Sequence, residues 1–143
     1  MREENVTMFI LDWLRGNNWK ILSFDYQGSG TGIRLHKNGT RNKNKDTIVP
    51  DIIAVKDEVA LFFENKDHFY KKDFEKQYSN IHDNFFSEDV DELLRVYDII
   101  KIKWGIGIPT DKYSKTVGKY EYMVDFLFTV EENGAIEIKK NYI

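Results

Sequence analysis

The sequence predicts an α/β fold with a central mixed β-sheet flanked by helices, and three observations predict it. A helical hydrophobic repeat opens the chain, clusters of β-branched and aromatic residues follow, and a second amphipathic stretch separates those clusters. The 143 residues suffice for a single domain, 1–143, with a substantial core. A hydrophobic content of 41% excludes a disordered chain.

The first helix is marked by Val6, Phe9, Ile10, Trp13 and Leu14, spaced by three and four residues, and Gly16-Asn17-Asn18 ends it. Trp19 to Tyr26 alternates as a strand, and residues 27–32 form a glycine-rich loop. Thr47 to Val55 is β-branched, and after the polar turn Lys56-Asp57-Glu58 the run Val59 to Phe63 returns. Together they predict an antiparallel hairpin. The stripe Phe69, Phe74, Tyr78, Ile81 and Phe85 predicts a long helix from about Phe69 to Phe86. Ser87 followed by Glu88 and Asp89 predicts a short helix with Ser87 as its N-cap. Ile99 to Ile108 reads as a strand broken by Gly105 and Gly107 and stopped by Pro109. Asp111 to Lys119 reads as a polar loop, and Tyr122 to Val130 as a strand. Glu132-Asn133-Gly134 turns into a last strand, Ala135 to Ile138.

Composition narrows the function. With 21 Lys+Arg against 24 Asp+Glu, no global basic field attracts a polyanion, so a nucleic-acid partner needs a local patch. Cysteine is absent, which excludes disulfides, thiolate metal sites and Cys nucleophiles and fits a cytoplasmic setting. No apolar run approaches the roughly 20 residues that span a bilayer, so no membrane partner is expected. The glycines of residues 28–32 are not followed by Gly-Lys-Ser/Thr, so no nucleotide cofactor is expected either.

The chemistry concentrates in Pro50-Asp51 and Glu64-Asn65-Lys66. Asp51 falls on the first strand of the predicted hairpin and Glu64 on the second. Glu64 and Lys66 lie two apart, so they share a face of the sheet. Two half-buried carboxylates at one spot repel each other, and a hard divalent cation relieves that repulsion. The expected cofactor is Mg²⁺, with Mn²⁺ as a substitute. Lys66 beside them orients an attacking water or neutralises developing charge, and its pKa is expected to fall.

These residues resemble the PD-(D/E)XK nuclease superfamily: Pro50, Asp51, Glu64 and Lys66, flanked by apolar strands, in the order helix, strand, hairpin, helix over roughly the first eighty residues. The resemblance implies a restriction-endonuclease-like core. It also implies a divalent-metal-dependent DNA endonuclease whose catalytic residues are Asp51, Glu64 and Lys66, leaving a 5′-phosphate and a 3′-hydroxyl. The metal ligands it implies are Asp51, Glu64, the backbone carbonyl of Asn65 and an acid of the first helix, for which Glu3 and Glu4 are the candidates and Glu4 is taken. Asn65 is polar where the superfamily usually has an apolar residue. Gly28-Ser29-Gly30 is similar to the archaeal-type Holliday-junction resolvase pattern and makes Ser29 a candidate near the site. Some branches also use a helical glutamine, a position that Gln77 could fill.

The segment Arg34 to Lys45 holds Arg34, Lys37, Arg41, Lys43 and Lys45 with no acid, and with Ser29, Lys71 and Lys72 it is the expected DNA contact. Its amide-rich character favours a restriction-type enzyme, while Gly-Ser-Gly and small size favour a junction-resolving one. Cutting two strands needs two sites, so a homodimer is expected. The acids Asp83, Glu88, Asp89, Asp91 and Glu92 are expected to form a solvated face away from the DNA. The alternative from another class is a non-catalytic nucleic-acid-binding or assembly module that keeps the fold.

Overall fold

In the computed structural model, residues 1–26, 29–40 and 46–143 are described, with only the backbone of residues 29 and 30. Helix α1 (Glu3–Gly16) carries Glu3 and Glu4 in its first turn and Arg15 in its last, complementing the helix dipole. It is followed by β1 (Lys20–Tyr26), β2 (Ser29–Gly30), β3 (Leu35–His36), β4 (Thr47–Ile48), β5 (Ile52–Lys56) and β6 (Val59–Asn65). Helices α2 (Lys71–His82) and α3 (Ser87–Leu94) lead to β7 (Lys101–Pro109). A short helix α4 (Lys115–Gly118) precedes β8 (Phe126–Val130) and β9 (Ile136–Lys140).

Among the described residues, seven strands form one sheet in the order β2-β1-β5-β6-β7-β8-β9, and β3 and β4 form a separate two-stranded ladder. The sheet is mixed: β6, β7 and β8 are parallel, and the other neighbours are antiparallel. The α/β class with a central mixed sheet between helices is therefore as predicted. On one face α1 buries Val6, Ile10, Leu11 and Leu14 against Ile52, Leu61, Phe63, Phe126 and Phe128. On the other, α3 and β3 cover Ile53, Phe62 and Trp104, while α2 and α4 cover Ile106, Ile108 and Leu127. Among the described residues no helix is long and apolar enough to cross a membrane.

Several local expectations are corrected. The run Thr47 to Val55 is not one strand. Pro50 has no N–H to give, and the chain bends at Asp51, so Thr47–Ile48 pairs with Leu35–His36 while β5 begins at Ile52. The second long helix ends at His82, leaving Tyr78 and Phe85 each 40% exposed. Its buried residues are Asp73, Phe74 and Gln77, so polar groups take much of the inward stripe. Ser87 does not cap α3. Asn38 does, with its Oδ1 accepting the Glu88 N–H at 2.9 Å and its Nδ2 donating to Ser87 Oγ at 3.0 Å. The loop at 111–119 contains α4, whose N-cap is Ser114.

Gly105 and Gly107 do not break β7. Both are sites of close approach: a Cβ at Gly105 would overlap the ring of Phe126, and one at Gly107 would overlap the Asn65 amide and Ile10. Gly105→Ala should therefore lower stability by about 1–3 kcal/mol through overpacking, which chemical denaturation measures. An unchanged midpoint would show that Phe126 yields freely.

Candidate active site

The site sits where β5 begins and β6 ends. The ladder pairs Ile52 with Phe63, and continuing that register by one residue sets Asp51 opposite Glu64. Both point to the face that holds Ile53, Val55, Ala60 and Phe62, because side chains alternate along each strand. Asp51 is held by its backbone as well. Its N–H donates to the Phe63 carbonyl at 2.9 Å and its carbonyl accepts from the Asp25 N–H at 2.8 Å. Its carboxylate accepts the Asn65 N–H at 2.7 Å. Lys66 follows β6, with its ammonium 3.6 Å from Glu64 and 3.6 Å from Glu3 at the start of α1.

The electrostatics are those of crowded anions. Burial raises the Asp51 pKa to about 8, Glu64 and Glu3 add to the rise, and the Asn65 N–H and Lys66 oppose it. Glu64 is also raised, chiefly by burial, with Asp73 and Glu3 adding and Lys66 and Lys76 opposing. Burial lowers the Lys66 pKa, but the surrounding carboxylates of Glu64, Glu3, Asp73 and Asp51 outweigh it, so the net shift is upward. This corrects the expectation of a depressed lysine: Lys66 is held as a cation.

The other expected residues fare differently. The first-helix acid at the cluster is Glu3; Glu4 instead pairs with Arg2 at 3.1 Å. The Asn65 side chain lies on the α1 face, where its amide donates to the Thr7 hydroxyl at 3.0 Å, so its contact with the cluster is through the backbone N–H. Gln77 donates to the Gly105 carbonyl at 2.8 Å and ties α2 to β7. Lys71 and Lys72 are exposed, Lys71 lying 5.9 Å from the ring of Tyr120. The α2 lysine whose charge reaches Glu64 is Lys76. Lys37 lies over the ring of Phe85 at 4.5 Å, and Arg34 borders a shallow depression with Asp89 and Glu92. Ser29 falls in β2, its side chain outside the described part, as are Arg41, Lys43 and Lys45.

Asp83, Glu88, Asp91 and Glu92 are exposed, as expected of a solvated face, but the segment is not remote from the basic stretch. Asp89 accepts the His36 N–H at 2.6 Å, and Glu88 accepts the Gly39 N–H at 3.1 Å, so α3 anchors the start of the basic stretch. One group near the cluster escapes the sequence reading. Asp73 is buried, with no hydrogen-bond partner for Oδ2 among the described residues, and Lys76 lies one turn beyond it. The signal was available: Asp73, Lys76, Gln77 and Asn80 follow at i, i+3, i+4 and i+7, a polar stripe on a helix that packs on the sheet.

Asp51 and Glu64 offer hard oxygen donors only. Among the described residues no group of three or more Asp, Glu or His is placed to hold a metal ion. Carboxylate oxygens are the donor type that small hard divalent cations such as Mg²⁺ take, with water filling the other positions. No family model matches this chain, and no curated protein matches it.

The raised carboxylate has a consequence for stability. A group whose folded pKa exceeds its unfolded value contributes most below the unfolded pKa, and that contribution is lost as pH rises through the folded pKa. For Asp51 the window runs from about 4 to about 8. Without divalent cations, Asp51→Asn keeps an acceptor for the Asn65 N–H and should stabilise the protein at pH 8, on the order of a few kcal/mol. Near pH 4 it should have little effect. Thermal unfolding at both pH values checks this, and equal effects at the two would contradict it.

Proposed function

We propose that this protein is a divalent-metal-dependent DNA endonuclease of the PD-(D/E)XK type, with a restriction-endonuclease-like core. The observation behind the reading is the facing pair Asp51 and Glu64, both poorly solvated and mutually repelling, with the Lys66 ammonium 3.6 Å from Glu64. The order helix α1, strand β1, hairpin β5–β6 and helix α2 supports it further.

Asp51 and Glu64 would hold Mg²⁺. When bound, the cation supplies polarisation of the phosphodiester and a more acidic water. Asn65 fixes the Asp51 oxygen through its N–H and so orients the ligand. Lys66, kept charged by its four acidic neighbours, stabilises the negative charge that grows on the phosphate and positions the nucleophile by donating hydrogen bonds. It does not act as a base. Glu3 restrains the Lys66 chain by sharing its charge. A homodimer would bring the two sites that double-strand cleavage needs.

Supercoiled plasmid nicking with Mg²⁺ or Mn²⁺ tests this reading. The wild type should nick, and Asp51→Asn and Lys66→Ala should each lose at least about 100-fold in rate. If the wild type cuts neither plasmid nor four-way junctions, flapped DNA or single-stranded DNA with either metal, the endonuclease reading fails and the non-catalytic binding module takes its place.

A further inference from the structure

A cavity of about 380 Å³ opens beside Glu64, between α2 and the segment that leads into β5. Its size falls in the range of small-molecule sites, about 300–1,000 Å³. It admits a single nucleoside, whereas a base stacked and paired inside a duplex cannot reach into it. Its walls are of two kinds. Phe85, Phe86 and Trp104 give aromatic surface; Phe85 is 40% exposed, large for an aromatic ring, while Trp104 is locked in place by stacking on Phe62 at 4.4 Å. Opposite chemistry comes from Asn80 and Lys76 on α2.

The orientation of the Asn80 amide is set by its neighbours. Gln77 uses Nε2 on the Gly105 carbonyl, so its Oε1 is left to accept from Asn80 Nδ2 at 2.9 Å. Asn80 Oδ1 takes no hydrogen bond from any described residue. With its second N–H it offers one acceptor and one donor, the pair of groups that an amide presents to the edge of a nucleobase. Lys76 lines the same cavity as Glu64, and its charge is close enough to lower the Glu64 pKa. A phosphate linking a base in the cavity to the next nucleotide would meet it there. A second cation, Lys37, lies over the ring of Phe85.

We propose that this cavity receives one unstacked base of the substrate strand, so that the substrate carries an unpaired nucleotide beside the scissile phosphate: single-stranded DNA, or DNA with a branch or flap. The inference rests on the nuclease reading for the scissile bond. The cavity itself needs only a nucleic-acid strand.

The test is binding in EDTA, where cleavage plays no part. Fluorescence anisotropy would compare a labelled oligothymidylate, a duplex of equal length, and a strand of equal length made of abasic sites, at fixed salt because phosphate contacts depend on it. The oligothymidylate should bind at least about tenfold tighter than both others, the abasic strand losing the stacking and edge contacts. Ser79→Phe, which fills the cavity from α2, should remove that advantage while leaving the abasic strand unaffected. Equal affinity for oligothymidylate and abasic strand would overturn the proposal with no variant needed. So would unchanged oligothymidylate binding by a folded Ser79→Phe protein. If the advantage is present and no metal supports nicking, the cavity stands and the nuclease reading alone falls. If nicking occurs but the abasic strand binds equally well, the nuclease reading stands and the cavity proposal falls.

Discussion

Two carboxylates that face each other across a strand pair, where water is scarce, set the terms for this molecule. The β5–β6 ladder leaves Asp51 and Glu64 no choice of partner, since moving either by one residue would turn it to the opposite face of the sheet. Desolvation then raises both pKa values, and the charge of Glu64 raises that of Asp51 further. A proton can settle the conflict, and so can a cation. The competition between them links the acid chemistry of the site to the fold that builds it.

The surroundings fit this account. Lys66 reaches back to Glu64 and Glu3, joining the end of β6 to the start of α1. Asn65 serves both faces of the sheet at once: its backbone N–H holds Asp51, while its buried side chain packs beneath α1 against Gly107 and Thr7. Thr7 satisfies the amide nitrogen of this fully buried polar side chain, while Asn65 Oδ1 has no hydrogen-bond partner among the described residues. Helix α2 adds a polar stripe in place of an apolar one, so that the same helix closes the core through Phe74 and borders the site through Asp73 and Lys76.

Much of this was legible in the sequence. The period of Val6, Ile10 and Leu14 gave α1, and the β-branched runs gave the β5–β6 hairpin, because each depends on local pattern. The pairing of Glu64 with Lys66 followed from the two-residue repeat of a strand. What stayed hidden depends on distant contacts. Gly105 and Gly107 look like strand breakers until the ring of Phe126 and the amide of Asn65 occupy the space they leave. Ser87 looks like a cap until Asn38, almost fifty residues away, takes that role. Glu3 and Glu4 are indistinguishable by type, and only the phase of α1 selects Glu3. The direction of the Lys66 shift likewise needed the count of acids around it, which no local pattern supplies.

Calorimetric titration of the metal-free protein with Mn²⁺ at pH 7.5 bears most directly on the central claim that Asp51 and Glu64 trap a divalent cation together. The account predicts saturable binding accompanied by proton release, since the raised pKa leaves Asp51 partly protonated there. Binding should be abolished by Asp51→Asn and by Glu64→Gln alike. Absence of binding to the wild type, or undiminished binding to either variant, would contradict it.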